Sequence, residues 1–361
     1  MKKIVIVAGD KSGDIYGGFL SKKLKEKNPL LEIYSFGGKN LANYSRQIID
    51  LTAHSVSGLA EVLSSLKEIL NIFNKTLNAI EEIKPDLVIL IDFPDFNLRL
   101  AKRLNKKYPL FYYVSPQVWA WRKKRIESIK RYVDKMIVIF KFEEDFYRKQ
   151  GIDALYFGHP LLEIIKGNNL ETKKIISFLP GSRKNEIKKH LPLMQGTKKI
   201  IEKELSGYRF RLIRPENIEE DFYNKFNHDF EIVSHSYDAI QESKFIITSS
   251  GTATVEISIL EVPFLIIYRL NSLTWQILKR MVRAKFIGMV NILASKKIVE
   301  ELLQKEATPQ RIAVITLEYV KNEEKYLALK KELGSIKNLL YPAGATEKIA
   351  EYICGYLKLD T

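Results

Sequence analysis

The stretch 87–98, LVILIDFPDFNL, runs through almost pure aliphatic residues and then stops at two carboxylates, Asp92 and Asp95, with Phe93 and Pro94 between them. A carboxylate fixed at the tip of a core strand and flanked by apolar groups has its pKa pushed up. That suits it to general-base work near neutral pH. Asp92 is therefore the candidate catalytic base. Asp95 is a supporting candidate that would hold Asp92 in place or cap a helix starting near Asn97. Both aspartates could also simply close a strand-to-helix turn.

Three loops have the composition to hold phosphate. AGDKSGD (8–14) follows a short apolar run and opens a helical pattern, and its Gly9, Ser12, Gly13 and Asp14 would let an anion approach free backbone N–H groups. The alternative is a tight turn capped by Ser12 or Asp14. LPGSRKNE (179–186) repeats the arrangement in the second half, with Ser182 and Arg183, whose guanidinium suits phosphate oxygens. TSSGTATVE (248–256) offers Ser250, Gly251 and Thr252 as a diphosphate cradle, and Glu256 about one turn later could reach a ribose diol. Glu256 reads equally as a first-turn glutamate facing the helix dipole. His159, in FGHP, is a supporting candidate whose simpler role is a hydrogen bond fixing a turn. YYVSPQVWAWRKKR (112–125) interleaves aromatic and basic residues, a pattern that serves nucleic acid, a lipid-phosphate interface or a packed domain edge. With five histidines scattered and one cysteine, no zinc-like ligand cluster is expected, and neither is a cofactor.

Positioning these residues requires strands and helices in alternation. β-branched runs at 3–8, 31–36, 86–92, 110–115 and 135–140, then at 174–179, 208–213, 230–233, 244–248 and 263–268, alternate with amphipathic helical stretches. Continuous apolar strands separated by helices predict parallel sheets covered on both faces. At 361 residues the chain is too long for one core. The expected architecture is α/β, two doubly wound Rossmann-like domains facing a cleft. Residues 1–166 form the first domain, 167–172 a linker, 173–340 the second domain, and 341–361 a C-terminal helix that can return to the first domain, with Thr346 as its N-cap. In such sheets ligands bind beyond the C-terminal strand ends, which is where the candidate loops fall.

The balance of 58 Lys+Arg against 43 Asp+Glu, a formal charge of +15, favours anionic partners or reflects a lysine-rich surface. One cysteine forbids an intramolecular disulfide. The opening apolar run is too short for a signal peptide and reads as a strand, and no stretch reaches the roughly 18 apolar residues of a membrane span.

The segments AGDKSGD, SVSGLAEVL (55–63), KPDLVILIDFPDFN (84–97), YVSPQVWAWRKKRI (113–126), YFGHPLLE (156–163), LPGSR (179–183), SSGTATVE (249–256) and NILA (291–294), in that order, resemble lipid-A-disaccharide synthases. The resemblance spans nearly the whole chain. It implies a GT-B fold and an inverting transfer of 2,3-diacylglucosamine from UDP to the 6-hydroxyl of 2,3-diacylglucosamine 1-phosphate; since SSGTAT at a helix start and Arg183 can meet the leaving diphosphate, no metal is expected. It implies Asp92 as catalytic, and Arg183 and Asn291 on the UDP-sugar side with the 173–340 domain; residues 1–166 would bind the acceptor. Asp10 stands where such proteins more often carry glutamate, and SKKIVEEL follows NILA in place of a more usual glycine-arginine or proline-containing stretch.

Acylated substrates require contact with a bilayer. The 270–293 segment sets Trp275, Leu278 and Met281 beside several basic residues, which fits a helix lying in an anionic inner-membrane surface or packed in the core, and 57–73 is rich in leucine and isoleucine. The expected location is cytoplasmic, peripheral on the inner membrane, with salt-sensitive attachment and with oligomeric state left open. Two rival readings are a UDP-N-acetylglucosamine 2-epimerase-like enzyme and a basic nucleic-acid-binding protein. The order of the segments disfavours both, so no nucleic-acid partner is expected.

Overall fold

In the computed structural model, which describes residues 1–54, 62–120, 124–168, 170–226, 228–270 and 285–359, the chain divides into two units. One is Met1–Glu163 together with Leu340–Thr361, and the other is Ile164–Leu339.

The first unit holds a parallel sheet of β1 (Lys3–Ala8), β2 (Glu32–Phe36), β3 (Arg46–Ile49), β4 (Leu87–Ile91), β5 (Leu110–Tyr113), β6 (Lys135–Val138) and β7 (Ala154–Tyr156), in the order β3-β2-β1-β4-β5-β6-β7. The second unit holds β8 (Ile175–Leu179), β9 (Arg209–Arg214), β10 (Glu231–Ser234), β11 (Phe245–Ser249), β12 (Phe264–Tyr268) and β13 (Glu301–Leu303), in the order β10-β9-β8-β11-β12-β13. The central strands β1, β4, β8 and β11 are apolar or small at every position but Lys3 and are buried almost throughout, which is why they read as nearly uninterrupted apolar runs. In each sheet the strand order reverses direction at one place, between β1 and β4 in the first and between β8 and β11 in the second. Crevices outside the strand ends open at such points.

Three strands escaped the sequence pattern: β3, β7 and β13. All lie at sheet edges, and β3 is mostly exposed. An edge strand lacks the two covered faces that make a central strand continuously apolar, so composition does not mark it.

The C-terminal helix Ala345–Leu357 packs on the helix Lys11–Lys27 of the first unit, with Lys27 ion-paired to both Glu347 and Glu351. Its N-cap is Gly344, not Thr346. Thr346 lies inside the first turn, buried, and its N–H donates to Glu163 Oε1 at 2.8 Å. The returning chain is pinned at Gly158. This residue has φ +112, and a Cβ there would stand 1.8 Å from the carbonyl oxygen of Pro342. The neighbouring His159 N–H donates to Leu340 O at 3.0 Å. Gly158→Ala must therefore displace backbone as well as adopt a left-handed conformation. It is expected to cost about 3 kcal/mol or more, measured as the loss of unfolding free energy in denaturant titration.

Candidate active site

Where β4 ends, Asp92 and Phe93 both take left-handed backbone conformations, with φ of 43 and 47, before Pro94 opens the helix Pro94–Leu104. The helix starts three residues before the expected Asn97. Two consecutive non-glycine residues in that region cost about 1–3 kcal/mol each, so the surroundings must enforce them. They do. The Asp92 carbonyl accepts from Tyr112 Oη at 2.5 Å and from Asn97 Nδ2 at 2.8 Å. The Asp92 N–H donates to Tyr113 O at 3.0 Å. The Phe93 ring stacks on Phe96 and occupies the space beside Gly9, where a Cβ would fall 2.2 Å from a ring carbon. Gly9 thus has no side chain because Phe93 fills its place, and this contact draws the loop after β1 against the loop after β4.

The result is a close approach of carboxyls. Asp92 is half-buried, and its carboxyl neighbours that of Asp10, which follows the Gly9 that the Phe93 ring covers. Burial first, and then the charges of Asp10 and Glu143, hold Asp92 well above the usual carboxylate range, opposed by the backbone N–H of Phe93. Asp10 also caps the helix Lys11–Lys27, accepting from Gly13 N–H at 2.7 Å, a role assigned from sequence to Ser12 or Asp14. The buried Asp14 carboxylate instead accepts from the N–H groups of Gly38, Asn40 and Leu41 and from Asn40 Nδ2, fixing the loop after β2. Gly13 is packed against Asp10, Ile91 and Ala8, and Ser12 is half-buried on the first turn. Asp95, exposed in the first turn of its helix, pairs with Arg125.

Glu143 is not marked by the sequence, because its side-chain partners Ser115 and Trp119 lie 28 and 24 positions away. It is 2% exposed, and its Oε1 accepts from Ser115 Oγ at 2.9 Å and Trp119 Nε1 at 3.0 Å, while Oε2 has no hydrogen-bond partner. Burial pushes its carboxyl up to about 7, and the bonds from Trp119 and Ser115 oppose the rise. Trp119 is thereby turned into the protein, edge-on to Phe142, rather than offered as a stacking platform for nucleic acid. His159 is 1% exposed, against Phe140 and Tyr16, and its Nδ1 accepts from Leu161 N–H at 3.1 Å. Burial lowers its pKa to about 3, so it stays neutral.

In the second unit the loops after β8 and β11 are neighbours because those strands pair. Ser182 and Arg183 are exposed at the start of the helix Lys184–Glu204, and Arg183 lies 3.6 Å from Glu186. Gly251 and Thr252 are exposed at the tip of β11, and among the described residues a Cβ on Gly251 would meet no atom within 4 Å. Ser250 Oγ donates to Ile287 O at 3.0 Å. Glu256 Oε2 lies 3.0 Å from His235 Nε2. Asn291 is fully buried and spends its amide inside the protein. Its Oδ1 accepts from the N–H groups of Ile298 and Val299, and its Nδ2 donates to Val299 O and Glu301 Oε1. Glu301 in turn accepts from the N–H groups of Ile287 and Gly288, so Asn291 supports the loop that receives Ser250. A second residue missed from sequence is His190, buried behind these loops. Its Nε2 accepts from Arg269 N–H at 3.0 Å while Nδ1 lies 2.7 Å from Pro180 O, tying the tip of β12 to that of β8.

Trp275, Leu278 and Met281 lie outside the described residues, as do 55–61 and 121–123. Among the described residues no group of three His, Cys, Asp or Glu side chains is arranged to hold a metal ion, and no helix is long and apolar enough to cross a membrane.

Residues 4–346 match the family described as lipid-A-disaccharide synthetase. A lipid-A-disaccharide synthase from Syntrophus aciditrophicus is 35% identical, covering 97% of this chain and 96% of its own. Lipid-A-disaccharide synthase 1 from Legionella pneumophila is 36% identical, covering 94% and 93%. Among solved structures, UDP-GlcNAc 2-epimerase from Neisseria meningitidis, bound to UDP-GlcNAc, superposes with a TM-score of 0.67 at 13% identity, covering 98% of this chain and all of its own. The kitacinnamycin glycotransferase gives 0.63 at 12%, covering 97% and 98%. At such identities the likeness shows the fold alone, two Rossmann-like parallel-sheet domains of the GT-B kind.

The Glu143 environment makes a testable statement about stability. A folded-state pKa of about 7 against 4.5 means that the carboxyl's contribution is complete below pH 4.5 and is lost as pH rises through 7. Glu143→Gln keeps an acceptor for Ser115 and Trp119 but cannot ionise. Relative to the parent, its unfolding free energy should improve by about 3 kcal/mol between pH 4.5 and 8, read from urea titrations at both pH values.

Proposed function

The chain belongs to the lipid-A-disaccharide synthetase family, a glycosyltransferase of lipid A biosynthesis, and on that premise we propose a division of labour between its two units. The second unit binds UDP-2,3-diacylglucosamine, the first binds 2,3-diacylglucosamine 1-phosphate, and Asp92 is the base. The observation that carries this reading is the Asp92 carboxyl, held on an enforced left-handed turn at the switch point of the first sheet with its pKa raised.

Asp92 takes the proton of the acceptor 6-hydroxyl as that oxygen bonds to the anomeric carbon of the donor sugar. The bond from that carbon to the β-phosphate oxygen breaks, and its electron pair leaves with UDP. Attack opposite the leaving group inverts the anomeric centre and gives the β(1→6) disaccharide 1-phosphate. The charge developing on the diphosphate is met by the backbone N–H groups around Gly251 and Thr252, the start of the helix Lys184–Glu204, and the Arg183 guanidinium. Glu256, steadied by His235, is placed for the ribose. These groups supply the stabilisation that a divalent ion would give, so the reaction is proposed to be metal-independent.

The acyl chains are reached from a membrane surface, with the enzyme peripheral on the cytoplasmic face of the inner membrane. The charge of +15 and the exposed Leu70 on the helix Val62–Ile83 support this placement. The epimerases resemble this chain in fold, at an identity far below that of the synthases.

Asp92→Asn should lower kcat by about 10²–10⁴-fold with the melting temperature and the KM for UDP-sugar close to the parent's, and turnover should survive EDTA. Near-parental turnover of that variant would remove Asp92 as base, and loss of activity with chelator would refute the metal-free scheme. Gly251→Ala, whose Cβ meets no atom of the described residues within 4 Å, should raise the KM for UDP-sugar about tenfold (roughly 1.4 kcal/mol) without lowering the melting temperature. An unchanged KM would move the diphosphate away from this loop.

A further inference from the structure

Asp10 has no part in the reaction above, yet it follows directly on Gly9, against which the ring of Phe93 packs, and its carboxyl neighbours that of Asp92. The two are brought together by the fold rather than by sequence. β1 and β4 pair in register through Ala8 and Ile91, so the loops that follow leave the sheet side by side. The Phe93 ring, seated over Gly9, locks them there. The helix cap to Gly13 N–H fixes the Asp10 carboxyl at one oxygen. Two carboxylates in contact repel unless a proton lies between them.

We propose that Asp10 is a positioning residue for the transfer, its carboxylate standing beside that of Asp92 and so keeping Asp92 both oriented and basic enough to deprotonate the acceptor. The proposal rests on Asp92 being the base. In the proton ledger the reactive pair carries no proton and two negative charges. The acceptor hydroxyl proton goes to the Asp92 carboxylate as the new glycosidic bond forms and UDP leaves with the electron pair. The pair, now sharing that one proton and carrying one negative charge, returns it to water.

Other groups act on this pair from each packed element. Glu143, from the helix Lys141–Arg148, adds a third acidic group that raises Asp92 further. Tyr112, from β5, bonds the Asp92 carbonyl, and its phenol is pushed up by burial and by the charges of Asp92 and Asp10. Arg125, from the helix Arg125–Tyr132, acts on Tyr112 in the opposite sense and is paired with Asp95. The carboxyl in contact with Asp92 is that of Asp10, and it is the one whose removal should be felt most.

A helix cap alone would also explain an aspartate at this position, and the test separates the two roles. Asparagine caps as well as aspartate but carries no charge and no acidic proton. The pH dependence of kcat/KM is measured for the parent, Asp10→Asn and Asp10→Glu, with UDP-2,3-diacylglucosamine and detergent-dispersed lipid acceptor, beside thermal melting. Asp10→Asn is expected to melt with the parent. Its acid limb should move to lower pH by about one unit, because Asp92 ionises more readily without a negative neighbour. Its plateau kcat should fall about tenfold, because Asp92 is then a weaker base. Asp10→Glu should restore the parental limb. An acid limb for Asp10→Asn that coincides with the parent's overturns the proposal. If Asp10→Asn unfolds, Asp10→Ser, also a good cap, carries the same expectation, and unfolding of both assigns Asp10 to the cap alone and overturns it too. Failure of the underlying reading looks different: Asp92→Asn would then retain activity with an unmoved limb.

Discussion

The site depends on one backbone constraint, the pair of left-handed residues Asp92 and Phe93 at the end of β4. A strand that ran straight into its helix would carry the Asp92 carboxyl elsewhere and leave the Phe93 ring without its seat over Gly9. The conformation is costly, and the molecule meets the cost with several independent contacts: the Tyr112 phenol, the Asn97 amide, the Tyr113 carbonyl and the Phe93 ring against a residue that has no side chain. Strain that is this over-determined belongs with function rather than with folding, since an unstrained turn would join β4 to its helix more cheaply.

Each sheet uses its own switch point differently. In the first, the neighbouring loops after β1 and β4 bring negative groups into contact, which raises proton affinity. In the second, the neighbouring loops after β8 and β11 present an exposed arginine, an exposed glycine and a long helix's start, which favours anions. Proton-accepting and anion-seeking groups are thus segregated between two copies of one topology. Behind each front lies a buried polar strut: Glu143 under the Ser115–Trp119 loop, His190 between Pro180 and Arg269, and Asn291 beneath the loop that receives Ser250.

What could be read from the sequence follows from what is local. Central strands are legible because burial on both faces leaves an unbroken apolar run, and Asp92 is legible because such a run ends in charge. The edge strands β3, β7 and β13 are not, since one uncovered side removes the signal. Asp10 sits inside a recognisable loop, but its meeting with Asp92, 82 positions away in the chain, is a product of β1–β4 pairing. Glu143 looks like one of several surface acids in KFEEDFY until the fold buries it. The resemblance assigns Asn291 to the nucleotide side, while its bonds to Ile298, Val299 and Glu301 are contacts only the fold reveals.

The central claim is that the fold holds the Asp92 carboxyl in an environment that favours its protonated form. The most direct measurement is carbon-detected NMR of side-chain carboxyls in the uniformly ¹³C-labelled protein, following the Asp92 ¹³Cγ resonance across the pH range. The account predicts an inflection well above the ordinary aspartate value of about 3.9, mirrored in the Asp10 resonance. A single ordinary titration of Asp92, with Asp10 titrating independently, would contradict it.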